Sequence, residues 1–557
     1  MPGTSTSPPA LVAKDKAACK ARSIRSFWAM KPPRKPVTHS FDCQLIVTYA
    51  RMMSINYYSY TGFGMKHVVV IGAGIGGLSA TAKLSGGAAK VTLLERADAL
   101  GGKLRAVATK LGPADIGPTV VTMPDVLEEI FSSLDARMED HLRVKPLPIL
   151  ARHFWDDGSI LDLTTRPDEN EEAIGKLFGR KAAHDFARFD VLSRQLFNCF
   201  EDSVIRAPTM SMTRLTKDIF ANPALLAKIL PSPSLSGLLA GMFQEPRLRQ
   251  LFGRYATYVG GIPQHAPSIL ALIWHAEAKG VFQIDGGMHQ IAKALMPLLE
   301  KRGVDIRTGE EVTAIKRRAD GHFEITSNNR MITADLIVFN GDPRALEHGL
   351  WGQDQKPIVK PTATNPRSLS AVVHGFAATA HGLNLSHHNV FFSHTPDEEF
   401  QALDQGHIPE AANLYLCASD HQEDNNDFLN SRFEIIRNAP AITKDAPTTA
   451  CDEEKEKWNH LTLQRLAQFG LTFTQAPTAA NITMPQDLAR DFPASQGAIY
   501  GRSPHGITAS FRRPVARCKI PGLYLCGGGI HPGAGVPMAA QSGFHAAKAA
   551  LTDLAST

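Results

Sequence analysis

"KHVVVIGAGIGGLSATAKLSGGAAKVTLLE", Lys66 to Glu95, decides the fold. The apolar run Val68–Ile71 suits a strand buried in a parallel sheet. A glycine loop follows, then a helix expected from about Gly76 to Leu84. A second apolar strand, Val91–Leu94, ends at Glu95. Gly72, Gly74 and Gly77 form GxGxxG in the setting where that pattern is informative, between a strand and a helix start. Gly72 permits the tight turn, Gly74 lets backbone approach a pyrophosphate, and Gly77 lets helix and strand pack closely. The helix start offers free N–H groups and about half a positive charge to phosphates. Glu95 stands where a carboxylate accepts hydrogen bonds from an adenosine ribose, and its charge argues against a 2′-phosphate. A glycine-rich turn without a ligand is the plainer reading. It leaves the order strand, loop, helix, strand, acid unexplained.

Moving outward, "ERADALGGKLRA" puts Gly101 and Gly102 just before Lys103 and Arg105. In flavoproteins with two dinucleotide-binding domains such a pair lies against the diphosphate, with a cation nearby. For Arg105 an exposed basic loop explains the residue as well. A simple NAD dehydrogenase does not require this extension, which shifts the expectation to FAD. The far end of the chain carries the matching signal. In "GLYLCGGGIHPGAGVPMAA", Gly522 to Ala540, a strand-like "LYLC" leads into five glycines between Gly527 and Gly535, then a helix starting near Val536. The glycines would let backbone run beside a ribityl chain and isoalloxazine. The helix start would face the ring edge where a reduced flavin carries negative charge. The two ends of the chain would then meet on one cofactor.

At 557 residues the chain is too long for a single core. Its 43% hydrophobic and 20% charged content is that of an ordinary globular protein. The net charge of +5 is uneven. Residues 1–64 hold nine Lys/Arg against two Asp, leaving the rest at −2. A near-neutral body argues against nucleic acid. Seven scattered cysteines without CxxC spacing suggest neither a disulfide framework nor a metal site.

Residues 1–64 read as a disordered or non-native N-terminal extension, with translation expected to begin at Met65. The FAD-binding domain is expected in three pieces, 65–130, 281–345 and 515–557. A substrate domain would fill 131–280, mostly helical, and 346–514. The fold class is therefore α/β, a Rossmann-like FAD-binding domain with a discontinuous α+β substrate domain. No segment reads as a spanning helix, because prolines and glycines interrupt the apolar stretches. Ile229–Gln244, "ILPSPSLSGLLAGMFQ", reads either as a surface that dips into one leaflet or as packing within the helical domain.

These motifs, with "DIGPTVVTMPDVLEEIF", "QLFGRYATYVGGIP" and "APSILALIWHAEAKGVFQIDGGMHQIAKAL", resemble the FAD-dependent carotenoid desaturases of the bacterial phytoene desaturase type over nearly all of Met65–Leu551. Within that family the hydroxyneurosporene (methoxyneurosporene) desaturase branch is the most similar. The resemblance implies that Gly72, Gly74, Gly76, Gly77, Glu95, Arg96, Gly102 and Lys103 hold the adenosine diphosphate half, with Val312 offering backbone to the adenine. Pro118 and Thr119 would lie near the flavin. Gly527, Gly528, Pro532, Gly533, Gly535, Val536 and Met538 would line the ribityl chain and ring. Ile530 stands where relatives often have a small hydroxyl residue.

The implied reaction converts CH–CH to C=C by hydride transfer to flavin N5 and loss of a proton. It needs no nucleophile, and neither GxSxG nor HExxH is present. His531 is the candidate base, with Glu277 and His275 behind it, each more simply read as a packed or surface residue. Arg254 would hold a polar substrate end or a salt bridge. The expected partners are an acyclic carotenoid, a membrane surface, and quinone or oxygen as electron acceptor. The expected place is the bacterial cytoplasm, peripheral to the inner membrane. A phytoene or neurosporene desaturase is the nearest alternative. A flavin amine oxidase and a non-catalytic isoprenoid-binding escort are the more distant ones.

Overall fold

Five short parallel strands carry the fold: β1 (His67–Ile71), β2 (Lys90–Leu94), β3 (Asp305–Arg307), β4 (Leu336–Phe339) and β5 (Leu523–Leu525). Their order across the sheet is β5-β4-β1-β2-β3. Strands far apart in sequence are thus neighbours, and β1 pairs with β4 from Val68 against Leu336 to Ile71 against Phe339. The near-continuous apolar runs match burial on both faces, Val68, Val69 and Val70 being fully buried. This is the structure of a computed structural model, which describes residues 65–556 apart from 88, 211–222, 230, 353–357, 422–429, 444–446 and 507. The reading of residues 1–64 as an extension lies outside the described residues. Gly64–Thr557 form one unit.

Helix α1 (Ile75–Leu84) packs on one face of the sheet with the last helix, α2 (Val536–Ser556). Three antiparallel strands, Val312–Arg317, Phe323–Ser327 and Arg330–Ala334, cover the other face. Gly72 takes φ +94, a left-handed conformation that side chains rarely adopt, and so turns the chain from β1 into α1. Gly77 permits the close packing: a Cβ there would stand 2.0 Å from the Gly72 carbonyl oxygen.

An eight-stranded, largely antiparallel sheet forms the second layer system, its long strand Ser370–His381 pairing with Ser431–Ala439. The region expected to be mostly helical supplies helices such as Arg180–Phe200 and Pro246–Gly253. It also supplies the hairpin Ala151–Phe154 and Ile160–Leu163, which joins this sheet through His388–Phe391. Sequence separation hid that pairing. The segment Leu235–Met242 is a helix whose Leu235, Leu238 and Leu239, with Phe243, are buried among Phe189, Phe252 and Trp274. Packing within the helical layer, not contact with a leaflet, is therefore what these side chains do.

Candidate functional site: a dinucleotide cradle open to an apolar cavity

A cavity of about 1220 Å³ runs through the unit. It lies at the C-terminal ends of the parallel strands, where ligands of open α/β sheets bind. Gly72, Gly74, Gly76, Glu95, Arg96, Gly102, Lys103, Pro118, Thr119, Val312, Gly527, Gly528, Gly535 and Val536 all line it. The two glycine pairs meet, since Gly74 bridges to Gly101 in parallel fashion. The far end of the chain closes on them. A Cβ on Gly543 of α2 would stand 2.1 Å from the Gly76 carbonyl oxygen, so only a bare backbone lets α2 cross α1 there.

The cradle suits a flavin dinucleotide. The residue capping α1 is Gly74, which has no side chain to occupy the first N–H groups, and the first turn carries no acid. Those donors face the cavity and favour an anion. The Glu95 carboxylate accepts from the Ala73 N–H at 2.6 Å through Oε2 and from the Ala97 N–H at 2.9 Å through Oε1. It locks the loop while remaining at the cavity wall. Arg96 donates to the carbonyl oxygens of Arg490 and Asp491, at 2.9 and 2.6 Å, and so ties a helix end to the cavity rim. Lys103 Nζ donates to the Ile499 carbonyl at 2.6 Å. Burial, opposed by Asp342, pulls its pKa down to about 8. Arg105, read as either a cation near the diphosphate or an exposed loop residue, lines the cavity and pairs with Asp491 at 2.5 Å.

Asn340 is the residue that sequence reasoning missed. Its Nδ2 donates to the Gly72 carbonyl at 3.0 Å, and the Cys526 thiol donates to its Oδ1 at 3.5 Å. One amide thus joins the first glycine loop, the end of β4 and the start of the C-terminal loop. A polar residue closing the apolar run "LIVFN" was the available signal.

Four residues expected from the C-terminal stretch lie elsewhere. Pro532, Gly533, Met538 and His531 do not line the cavity. The loop is anchored on its other side, where Ile530 enters the core and the His531 N–H donates to the Pro514 carbonyl at 2.8 Å. The His531 ring is buried and donates from Nε2 to the Ala207 carbonyl at 2.9 Å. One ring nitrogen is thus taken up by a backbone carbonyl, and the residue is not part of the cavity lining. Gly77 packs beneath the loop and also does not line the cavity.

The remaining wall holds a buried polar group. Arg254, Tyr258 and Glu277 line the cavity. Arg254 Nη2 donates to Tyr258 Oη at 2.5 Å, and Tyr255 Oη donates to Glu277 Oε2 at 2.7 Å. Burial pushes the Glu277 carboxyl upward against these partners. His275 is outside the cavity, edge-on to Phe197.

The family model for flavin containing amine oxidoreductases matches residues 75–379. The hydroxyneurosporene desaturase of Cereibacter sphaeroides is 46% identical over 490 residues, 88% of this chain and 98% of that protein. The one from Rhodobacter capsulatus is 46% identical over 87% of this chain and 98% of its own. Among solved structures, putrescine oxidase bound to putrescine superposes with a TM-score of 0.55 at 16% identity, covering 88% of this chain and 99% of that one. At that identity the likeness concerns the fold alone. The cradle at the strand ends and the match over most of the chain together place this protein in the flavin containing amine oxidoreductase family, alongside the hydroxyneurosporene desaturases.

Proposed function

We propose that the protein is an FAD-dependent carotenoid desaturase acting at C-3,4 of an acyclic 1-hydroxy- or 1-methoxycarotenoid. The observation that carries this reading is the identity of 46% to hydroxyneurosporene desaturases along nearly their whole length. The single cavity joining the glycine cradle to the Arg254 wall supports it. FAD, when bound, supplies the hydride acceptor. The chain's own residues do the rest. Gly74, Gly76 and Gly102 give way to the diphosphate, Glu95 takes the ribose, and Val312 borders the adenine. The buried walls exclude water and hold the polyene, so that orientation provides much of the rate. The Arg254 guanidinium offers donors to the oxygen of a substrate end group. That a methoxy oxygen only accepts, whereas a hydroxyl also donates, makes these donors suited to both.

The substrate partitions into lipid, and we place the protein at the inner membrane surface of a bacterium, with quinone or oxygen reoxidising the flavin. Among the described residues no helix is long and apolar enough to cross a membrane. Purified protein offered a panel of acyclic carotenoids tests the reading. Conversion of 1-hydroxy or 1-methoxy substrates, seen as a red shift in absorption, is the expected result. Preference for phytoene or neurosporene would assign the earlier desaturation instead.

A further inference from the structure

The reaction discards a proton, and His531 does not line the cavity that would hold the substrate. One hydrogen-bonded chain leaves the cavity for the interior. Thr119 Oγ1 lies 2.5 Å from Tyr415 Oη, and Tyr415 Oη lies 2.7 Å from His388 Nδ1. Thr119 and Tyr415 line the cavity, and His388 stands behind them, 1% exposed. The strand register fixes this arrangement. His388 pairs with Cys417, and the two-residue period puts Tyr415 on the same face of its strand as Cys417. Burial, reinforced by His387 and Arg254, lowers the basicity of His388 and keeps it neutral. Its other nitrogen, Nε2, has no hydrogen-bond partner among the described residues, a rare condition for a buried polar atom. Glu277 is the rival acceptor, but it already accepts from Tyr255 beside the Arg254 guanidinium.

We propose that Tyr415, backed by His388, accepts the proton lost in desaturation. This inference rests on the desaturase reading. The hydride leaves one substrate carbon with its electron pair for the flavin. The adjacent C–H bond then breaks, and its electron pair becomes the new π bond. The released proton passes to Tyr415 Oη, directly or through Thr119, while the Tyr415 proton moves to His388 Nδ1. Once a hydride has gone, the adjacent C–H is acidic enough for a neutral oxygen to serve as acceptor. An imidazolium in so buried a place is unfavourable. The proton therefore returns along the same bonds to water when the product leaves.

The test is anaerobic mixing of FAD-loaded protein with substrate deuterated at the carbon that loses the proton. For Tyr415→Phe we expect FAD content and KM to stay within about twofold, and flavin reduction to slow about 100-fold. The deuterium effect should emerge or grow, because proton loss becomes rate-limiting. His388→Gln should behave alike. Thr119→Val keeps the interior pair and serves if Tyr415→Phe does not fold; its reduction should slow as well. In ¹⁵N-histidine spectra, Tyr415→Phe should shift the Nδ1 signal of His388 in the absence of substrate. Wild-type reduction rate and isotope effect in Tyr415→Phe would overturn the proposal, as would a growing effect confined to Glu277→Gln. So would a raised KM at unchanged kcat, which would make Tyr415 a substrate-positioning residue. His387, His388 and Cys417 could together hold a metal ion, their ligand atoms lying within 4.8 Å of one another. About one bound metal per chain, lost in His388→Gln, would overturn the relay. If wild-type protein itself is not reduced by the carotenoid, the desaturase reading fails instead.

Discussion

Gly74 has an unstrained backbone, φ −67 and ψ 171, so its lack of a side chain is about space. A Cβ there would come within 3.0 Å of Asn340 Nδ2, the amide that holds the Gly72 carbonyl. Gly74→Val is therefore expected to disturb the loop locally and to fill the cradle, giving folded protein without FAD. Circular dichroism and the flavin-to-protein absorbance ratio check this, and stoichiometric FAD would refute it. Lys103 permits a prediction about pH. Its pKa is held down to about 8 by burial, and contact with a phosphate anion would raise it. FAD affinity should then be flat below pH 8 and fall above it by up to about tenfold per pH unit, until the bound-state pKa is reached. Titration of apoprotein with FAD between pH 7 and 9.5 measures this, and Lys103→Met should abolish the dependence. The glycines were legible in the sequence because their spacing has mechanical meaning next to a strand. Asn340 and Tyr415 were not. Each acts through contacts with residues hundreds of positions away or on a neighbouring strand, and a single polar residue at a strand end or within a strand has no period to announce it.

The elements of the dinucleotide fold were legible almost to the residue. The strand expected at Val68–Ile71 is His67–Ile71, and the helix expected near Val536 runs Val536–Ser556. "LYLC" occurs twice, at Leu414 and at Leu523, and both copies lie in strands, one in each large sheet. What the pattern could not supply was partnership. A short strand such as Ala151–Phe154 reads alike whether it pairs locally or with Asn389–Phe391. For the same reason Leu235–Met242 offered two readings, since periodicity marks an apolar face but not what covers it. Here Leu239 and Phe243 are 0% and 1% exposed. Leu239→Asp with Phe243→Asp would bury two unpaired carboxylates, each costing several kcal/mol. Insoluble or markedly less heat-stable protein is expected in expression and thermal melts. A soluble, FAD-loaded double variant that melts like the wild type would contradict the packing.

At the scale of the molecule, the two ends of the described chain are stitched together through a strand from its middle. β1 and β5 flank β4, and α2 lies on α1, so the cradle forms only when the chain from β1 to α2 has closed. Every residue of the cavity wall falls between Ile71 and Ala539. The match to the Cereibacter sphaeroides protein spans 490 residues of this chain and 98% of that one, so a chain of about that length holds a whole relative. The excess positive charge, by contrast, belongs to residues 1–64, which contain none of the glycine motifs. A chain starting at Met65 is therefore expected to fold, bind FAD in full and desaturate its carotenoid at the wild-type rate. Its flavin spectrum, thermal melt and turnover, compared with those of the full chain, decide the matter. A colourless or insoluble truncated protein beside a yellow full-length one would show that residues 1–64 are needed for the fold, and equal FAD content with lost turnover would move their role to substrate delivery.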